Sequence, residues 1–457
     1  MSAGYDVAVI GAGIVGSAIA RELAGHRLTV ALIDARTDVG DGTSKANTAI
    51  VHTGFDAKPG KLEADLVRRG YRLLCEYAVG TGIPIERTGA ILVAWDAEQR
   101  DALPGLRDKA EANGYTRCEI IDAATVYDRL PHLGTGALGG LTVPDESITC
   151  TWTVNLALAT DAVNRGAHLL LGRRVDSVEV EAARTTLHTG DGPIRTRWVV
   201  NAAGLGADVL DGHFGFDRFR VTPRRGELIV YDKLARRLVD TIVLPVPTAR
   251  GKGVLISPTV YGNVMLGPTA EDLTDRTDTA TTADGLNGLL DKGRRLLPRL
   301  LDEEVTATYA GLRAAADRDD YLIEADPAQR YLVVGGIRST GLTAGMAIAE
   351  HALAQLGAAG LELEPVAALP EPPRMPNLGE AFTRPYQDAA AIAADPAYGR
   401  IVCFCERVTE GELRDACRSV IPPRTLDGLR RRTRALNGRC QGFFCGAEVQ
   451  SFLGEPR

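Results

Sequence analysis

The fold of this chain is decided by the stretch Tyr5-Asp-Val-Ala-Val-Ile-Gly-Ala-Gly-Ile-Val-Gly16. An apolar, β-branched run leads directly into glycines, and a helical pattern follows through Ala20 and Leu23. This order of strand, glycine-rich turn and helix is typical of the start of a βαβ unit. A second apolar run, from residue 28 to residue 33, ends at Asp34 and predicts the next strand. The sequence therefore predicts an α/β domain at this end of the chain.

The glycines fit the dinucleotide-binding fingerprint GxGxxG. Gly11 would make the tight turn, Gly13 would let a pyrophosphate approach the backbone, and Gly16 would let the helix pack on the strand. The start of the helix can then bind the phosphates, and Asp34 stands where a carboxylate can bind both ribose hydroxyls. A bare glycine motif can be a chance turn, but here the strand, the helix and the acid accompany it. The pattern predicts a Rossmann-type domain and leaves FAD and NAD both open.

Two later glycine-rich strands favour FAD. Residues 199–204 and 335–345 each return the chain, as a strand followed by glycine, to the same sheet edge. The second segment places helix-start amides where they could neutralise an anionic reduced isoalloxazine. The alternative is that both are ordinary glycine turns of an α/β sheet.

Composition sets the class of protein. The chain has 457 residues, of which 45% are hydrophobic and 24% charged, as in folded globular proteins of two or three domains. A net charge of −7 and the lack of basic stripes argue against nucleic acid as a partner. The uncharged run at 7–20 is too short to span a bilayer. We expect no transmembrane segment and a cytoplasmic protein, either free or peripheral at the inner face of the membrane.

The last part of the chain has a different character. Residues 363–385 are rich in proline and lack hydrophobic periodicity, which is typical of an extended linker. We therefore place a linker at 363–399 and a separate small domain at 400–457. Within that domain, Thr409 and Glu412 have the spacing of a capping box and predict the start of a helix.

Four of the eight cysteines gather in this small domain, as Cys403, Cys405, Cys440 and Cys445. Eight cysteines in so long a chain do not form a disulfide framework. Thiolates are soft ligands that favour iron–sulfur clusters or zinc, and four of them suit a [2Fe–2S] cluster. Structural zinc usually takes pairs with wider spacing, so the tight Cys403-Phe-Cys405 argues against zinc. Zinc and unliganded thiols are the alternatives.

Residues 5 to about 360 resemble the FAD-dependent oxidoreductases of the D-amino-acid oxidase superfamily. The marks are the fingerprint strand, Asn201-Ala-Ala-Gly-Leu205 and Gly341-Leu-Thr-Ala344. Residues 48–93 resemble L-2-hydroxyglutarate dehydrogenases, whereas residues 266–272, residues 309–313 and the four clustered cysteines are similar to anaerobic-type sn-glycerol-3-phosphate dehydrogenases. The cysteine motifs also resemble the bacterioferritin-associated-ferredoxin-like [2Fe–2S] domain, whose ligands would be those four cysteines.

The resemblance implies an α/β protein in which a Rossmann-type FAD-binding domain is interleaved with an antiparallel-sheet substrate domain, followed by a small α-helical [2Fe–2S] domain. FAD and a [2Fe–2S] cluster are therefore the expected cofactors. The oxidoreductase part would be 1–362, with FAD-binding segments at about 1–80, 145–210 and 330–362 and substrate segments at about 81–144 and 211–329. The expected FAD contacts are Gly11, Gly13, Gly16, Asp34, Ser44, Val175, Ala203, Gly204, Gly336, Gly341, Leu342 and Thr343.

Three residues are the candidates for the catalytic site. The resemblance places His52 at the reactive face of the flavin, where an imidazole could remove the hydroxyl proton. It directs Arg313 and Arg338 towards the substrate, and their guanidinium forks suit a phosphate or a carboxylate. The alternatives are a buried structural histidine and arginines that only form surface salt bridges. The run Arg430–Arg434 is interpreted as a solvated helix face, with docking of an acidic redox partner as its second interpretation.

The resemblance implies oxidation of a small anionic hydroxy compound. The first candidate is sn-glycerol 3-phosphate going to dihydroxyacetone phosphate, the second is L-2-hydroxyglutarate, and the third is an amino acid or an opine. The flavin would take the hydride, and the cluster would release electrons singly to a quinone or an electron-transfer protein, with companion subunits as further partners. The alternative from another class is a non-catalytic flavin and iron–sulfur subunit for electron transfer or redox sensing.

Overall fold

A mainly parallel β-sheet forms the centre of one of the two halves of the fold. We describe it from a computed structural model that covers residues 4–247 and 253–454, with strands and helices numbered separately in chain order. The strands run β10-β11-β12-β1-β2-β9, with β20 on β12 and β19 on β20. Their bounds are β1 Tyr5–Ile10, β2 Val30–Asp34, β9 His168–Leu171, β10 Val175–Val180, β11 Thr185–Thr189, β12 Ile194–Asn201, β19 Leu322–Asp326 and β20 Tyr331–Gly335.

Helices cover both faces of this first sheet, which explains why its central strands read as continuous apolar runs. In β1, Val7 and Val9 pack in the core shared with the larger helices, whereas Ala8 and Ile10 pack in a second core on the opposite face. The helices of the first core are α1 Ile14–Leu23, α2 Leu62–Thr81, α5 Thr151–Asn164 and α8 Gly341–Ala358, and α6 Ala207–His213 lies in the second core.

The second large sheet has nine strands among the described residues and is almost entirely antiparallel. The order is β17-β13-β16-β15-β14-β5-β7-β6, with β18 along the other edge of β13. The strands are β5 Ala90–Ala94, β6 Glu119–Asp122, β7 Gly139–Val143, β13 Val221–Tyr231, β14 Ile242–Pro245, β15 Leu255–Pro258, β16 Val264–Gly267, β17 Glu271–Asp272 and β18 Val305–Ala316. The helices α3 Ala97–Ala112, α4 Ala123–Arg129 and α7 Ala283–Leu296 pack against it.

A small three-stranded sheet joins the two halves and matters for the site. It contains β3 Ile50–Val51, β4 Ile85–Glu86 and β8 Ser147–Thr149. In the antiparallel register, Val51 stands opposite Ser147. The next residue along β3 and the preceding residue of β8 are therefore brought side by side.

The predicted fold class is confirmed, because a Rossmann-type sheet is interleaved with an antiparallel sheet. One segment departs from the expected division of the chain. Leu322–Asp326 falls in the predicted substrate segment 211–329, yet it pairs with β20 as an edge strand of the first sheet. Hairpin pairing with the strand that follows it, rather than a local sequence signal, determines this position.

The predicted linker follows the surface of the body and is anchored to it. Val366 N donates to Gly25 O, Met375 N donates to Thr81 O, and Glu380 N donates to Val260 O, at 2.8–3.0 Å. From residue 385 onward the linker contains short helical turns, among them α9 Ala389–Ala394. The extended part of the linker therefore ends before residue 399.

Over residues 400–454, the small domain has one two-stranded sheet and three helices. These are β21 Ile401–Cys403, β22 Val408–Thr409, α10 Glu410–Cys417, α11 Leu426–Thr433 and α12 Gly446–Gly454. The capping box at Thr409 and Glu412 is present at the start of α10. Among the described parts of the chain, no helix is both long and apolar enough to cross a membrane.

The interpretation of Arg430–Arg434 as a solvated helix face is wrong. Arg431, Arg432 and Arg434 are buried, with 5–7% of each residue exposed. Arg434 stacks on the Tyr261 ring at 4.0 Å and bonds to Glu406, whereas Arg431 and Arg432 reach carboxylates of the first domain. The run is buried because the small domain packs through this helix onto the oxidoreductase body.

Candidate active site and cluster site

The fingerprint loop has the geometry that a pyrophosphate requires. Gly11 has φ +109°, and a Cβ there would lie 2.3 Å from Ala202 O, so only glycine fits the turn. A Cβ on Gly16 would lie 1.8 Å from the Gly11 carbonyl oxygen, which explains the close packing of α1 on the loop. By contrast, a Cβ on Gly13 would meet only Ser44 Oγ, at 3.1 Å. The side of the loop at Gly13 is therefore open, and the start of α1 points into that space.

Asp34 and Ser44 hold this loop in place. Asp34 Oδ2 accepts a hydrogen bond from Ala12 N at 2.7 Å, and Ser44 Oγ accepts one from Ile14 N at 3.0 Å. Burial raises the pKa of Asp34. Both side chains also face the large cavity, so each can serve the loop and a bound ribose or phosphate together.

A cavity of about 620 Å³ runs from this loop to the antiparallel sheet. Its lining residues come from both halves of the fold, so it can hold a dinucleotide together with a small substrate. All three catalytic candidates, His52, Arg313 and Arg338, contribute to its wall. The predicted FAD contacts that line it are Gly11, Gly13, Asp34, Ser44, Val175, Ala203, Gly204, Gly341 and Leu342.

The other three predicted FAD contacts lie behind the cavity wall. Gly16 packs under the fingerprint loop. Gly336 has φ +68°, and a Cβ there would lie 3.0 Å from the carbonyl oxygen of Asp320. Thr343 is buried, and its Oγ1 accepts a hydrogen bond from the backbone N–H of His52 at 3.0 Å. The structure thus gives these residues packing contacts and gives Thr343 a contact with the His52 backbone.

His52 forms a pair with a fully buried carboxylate. Its Nδ1 lies 2.9 Å from Glu146 Oε2, and the other oxygen, Oε1, accepts from Thr53 N at 2.6 Å and from Thr53 Oγ1 at 2.9 Å. Because a carboxylate can only accept, Nδ1 carries the hydrogen and the lone pair of the neutral ring lies on Nε2. Glu146 was not predicted from the sequence, where its only signal is a carboxylate next to a short strand.

Arg313 is the unusual cation of the cavity. Among the described residues, no carboxylate oxygen lies within 4.0 Å of its guanidinium, and Nη2 donates to the carbonyl of Thr269 at 2.6 Å. Burial, and then the nearby Arg224, lower its pKa, and Asp272 raises it by a smaller amount from beyond 4.0 Å. An arginine keeps its charge at neutral pH. The other cavity arginines each have a carboxylate within 4.0 Å: Arg36, Arg173, Arg174, Arg276 and Arg338.

Arg338 faces the cavity but is already paired. Its Nη2 bonds to Glu63 Oε2, and Thr340 Oγ1 bonds to the other oxygen of Glu63 at 2.9 Å. Arg338 has φ +49°, a left-handed conformation that is uncommon for a residue other than glycine. An anion that used Arg338 would therefore compete with Glu63.

The four cysteines of the small domain lie close to one another. Cys440 and Cys403 both act on the pKa of Cys405, and Cys403 and Cys440 both act on the pKa of Cys445. Across the described residues, no three His, Cys, Asp or Glu side chains converge as they would around a single metal ion. Four neighbouring cysteines provide the number of thiolates that a [2Fe–2S] cluster requires, with two protein ligands for each iron.

The surroundings of these thiols shift their pKa values in different directions. Backbone N–H groups, first that of Phe444, lower the pKa of Cys440, which favours its thiolate. Burial raises the pKa of Cys445 to about 12 and also raises that of Cys405. Since metal ligation requires thiolates, insertion of a cluster would have to displace the protons of Cys405 and Cys445.

Comparison with known proteins agrees with this geometry. The family described as FAD dependent oxidoreductase matches residues 6–356. The chain belongs to this family. A second family, described as the BFD-like [2Fe-2S] binding domain, matches residues 401–455 and includes all four cysteines. The predictions of an FAD-dependent oxidoreductase with a [2Fe–2S] domain, and of these two cofactors, are confirmed.

Individual relatives of this oxidoreductase include two kinds of dehydrogenase. A glycerol 3-phosphate dehydrogenase from Caloramator mitchellensis is 36% identical over 451 residues, which cover 98% of this chain and 94% of the relative. A mitochondrial L-2-hydroxyglutarate dehydrogenase from Caenorhabditis briggsae is 30% identical over 282 residues, which cover 58% of this chain and 63% of that protein.

A solved structure extends the comparison to three dimensions. The dithionite-reduced L-α-glycerophosphate oxidase from Mycoplasma pneumoniae with FAD bound superposes with a TM-score of 0.77 and 26% identity. The match covers 99% of the oxidase but 82% of this chain. Nearly a fifth of this oxidoreductase therefore has no counterpart in the oxidase structure.

Proposed function

We propose that this chain oxidises sn-glycerol 3-phosphate to dihydroxyacetone phosphate and passes the electrons out through its [2Fe–2S] domain. The substrate assignment rests on the arginines that line the cavity, because Arg313 is the only described one of them with no carboxylate oxygen within 4.0 Å of its guanidinium. The 36% identity to a glycerol 3-phosphate dehydrogenase over 98% of this chain supports the same substrate.

The guanidinium of Arg313 can bind one anionic group of a substrate. A phosphate monoester carries nearly two charges on a single group, and the fork of Arg313 can bind two of its oxygens at once. L-2-hydroxyglutarate carries two separate carboxylates and would need a second cation. Arg338 could supply that cation only by giving up its bond to Glu63. A phosphate at Arg313 therefore needs less rearrangement of the observed site.

His52 is the base that we assign to the substrate hydroxyl. Glu146 fixes the ring with the hydrogen on Nδ1 and the lone pair on Nε2, and its charge stabilises the imidazolium that forms when Nε2 takes the proton. FAD, when bound along the fingerprint loop, would accept the hydride from the carbon that bears the hydroxyl. The substrate thus loses one proton and one hydride and becomes the ketone.

The four cysteines would hold the cluster, which supplies one-electron carriage. Three phenylalanines within the cysteine motifs, Phe404, Phe443 and Phe444, are 75%, 84% and 81% exposed. Apolar side chains exposed this far, beside the ligands, favour a protein or a quinone as the acceptor. We place the protein in the cytoplasm or at the inner face of the membrane, where companion subunits could cover this surface.

The test is anaerobic flavin reduction. Purified holoprotein is mixed with sn-glycerol 3-phosphate, glycerol, L-2-hydroxyglutarate, or an amino acid, and flavin absorbance is followed by stopped flow. We expect rapid bleaching with sn-glycerol 3-phosphate and none with glycerol, which lacks the anionic group.

The other outcomes identify the alternatives. Faster bleaching with L-2-hydroxyglutarate would establish the second candidate, which the similarity to the L-2-hydroxyglutarate dehydrogenase favours. Bleaching by an amino acid would establish the third. A flavin that is reduced by dithionite but by no substrate would indicate an electron-transfer or sensing subunit.

A further inference from the structure

A network of buried charges joins the [2Fe–2S] domain to the oxidoreductase body. Asp38 lies in the loop after β2, and its carboxylate is about 5% exposed. Arg432 bonds to both of its oxygens, at 2.7 and 2.8 Å, and Arg431 bonds to Oδ2 at 2.8 Å. Arg431 also lies 3.0 Å from Asp41. Bidentate pairs of this kind are the geometrically most specific charge contacts in proteins.

Arg432 has a polar partner at each nitrogen of its guanidinium. Besides Asp38, its Nε and Nη2 donate to Ile421 O at 3.1 and 3.0 Å, and Nη1 donates to Gly428 O at 2.9 Å. The Asp38 carboxylate is equally occupied, because Oδ1 also accepts from Val39 N at 2.9 Å. Burial alone would raise the pKa of Asp38, but the arginines lower it overall. A lysine at 432 could not reproduce this set of bonds.

The loop at residues 38–44, to which these arginines bond, is part of the expected FAD site. Gly42, Thr43 and Ser44 line the cavity directly. Gly40 N donates to Ala12 O at 2.9 Å, and Ser44 Oγ accepts from Ile14 N at 3.0 Å. The loop thus bonds to the fingerprint turn on both sides of Gly13. A shift of Asp38 would therefore also move Gly40 and Ser44, which bond to the turn where we expect the pyrophosphate to bind.

We propose that Arg431 and Arg432 are positioning residues for FAD, so that the [2Fe–2S] domain helps to build the FAD site. The arginines touch no part of the cavity that FAD would occupy. They act on the loop at 38–44 through Asp38, and Arg431 acts on it through Asp41 as well. The loop in turn acts on the fingerprint turn. Because coupling between sites is reciprocal, bound FAD must stabilise the docked domain by the same factor. The inference depends on FAD binding and is independent of the substrate.

The first test measures FAD affinity. Holoprotein with Arg432→Lys, which keeps the charge and loses the bidentate fork, is diluted in steps while the fluorescence of released FAD is recorded. We expect the Kd to rise about 5- to 150-fold, the usual range for coupling between two sites. Arg430→Lys is the matched control on the same helix, because Arg430 bonds to Asn437 inside the small domain. It should leave the Kd within about twofold.

The second test measures the reverse effect. Loss of iron to a chelator is timed in parent and variant, each with and without FAD. FAD should slow iron loss in the parent, and Arg432→Lys should largely abolish that protection even where its cluster assembles normally. A merely structural role would speed iron loss equally with and without FAD.

Three results would overturn the proposal. These are an unchanged FAD Kd in Arg432→Lys with a folded protein, a parent whose cluster is not protected by FAD, or a control that behaves like the variant. If Arg432→Lys does not fold, Arg431→Lys replaces it, since Arg431 shares Asp38 and leaves the bidentate pair intact. An unchanged Kd and unchanged protection in Arg431→Lys would then refute the coupling.

Discussion

The His52–Glu146 pair leads to the sharpest prediction, which is the effect of Glu146→Gln. Glutamine has the same shape, and its carbonyl oxygen can still accept both bonds from Thr53. Its amide nitrogen, however, would replace Oε2 at 2.9 Å from His52 Nδ1. An amide N–H donates, so the ring would have to turn its Nδ1 lone pair towards it and carry its hydrogen on Nε2. Nε2 of His52 would then already carry a hydrogen and could not accept the proton of the substrate hydroxyl.

The expected loss follows from this change of tautomer. General-base catalysis contributes about 10²- to 10⁴-fold, which corresponds to roughly 2.7–5.4 kcal/mol of activation free energy. We expect anaerobic flavin reduction by sn-glycerol 3-phosphate to slow by that range in Glu146→Gln. FAD content and thermal stability should change little, because the buried bonds to Thr53 persist. Stopped-flow absorbance at saturating substrate gives the rate directly.

Two further variants make the test specific. Asp145→Asn removes the neighbouring negative charge, but Asp145 bonds to Tyr115 and Arg117 rather than to His52, so the rate should stay within a few-fold of the parent. His52→Gln should be as slow as Glu146→Gln, and the double variant should be no slower than either, since both act through one base. A near-normal rate in Glu146→Gln, or additive losses in the double variant, would refute this role for the pair.

Three other predictions follow from the site. Arg313→Lys keeps the charge but loses the fork, so steady-state kinetics should show KM raised by about tenfold or more with less change in kcat, and an unchanged KM would remove Arg313 from the anion site. Gly13→Val should give a folded protein without flavin. Valine can adopt the φ of −71° found at Gly13, but its side chain would enter the open side of the loop, where we expect the pyrophosphate. Retention of FAD, measured by absorbance after desalting, would contradict this. Cys440→Ser should lose iron and acid-labile sulfide while flavin reduction by substrate persists, with Cys417→Ser as the control; full iron content would exclude Cys440 as a ligand.

Local patterns made the FAD half of the site predictable. The fingerprint, its strand and Asp34 lie within about one βαβ unit, where spacing determines geometry. The four cysteines were also recognisable, since their motifs are short and their chemistry is restrictive. In both cases the residues that define the chemistry are near neighbours in the sequence, so a pattern could reveal them.

Long-range register determined what could not be predicted. Glu146 reaches His52 only because β3 and β8 pair with Val51 opposite Ser147, a register that no local pattern specifies. The same holds for Glu63, which occupies Arg338 from a helix far away in sequence. Sequence therefore identified the catalytic candidates but not the carboxylates that decide which of them is available.

The arginines of α11 show why charge patterns alone mislead. A run of cations predicts a solvated face unless carboxylates exist to pair with them, and the partner of Arg431 and Arg432 is Asp38, almost at the other end of the chain. Within the described part of the small domain, the core has eight buried apolar side chains, two of which belong to the proposed cluster ligands Cys403 and Cys445. So small a core needs further support. A cluster held by the four cysteines would supply part of it, and the buried ion pairs from Arg431 and Arg432 to Asp38 would supply another part. The proposed coupling would then make the domain and the FAD loop interdependent in stability as well as in position.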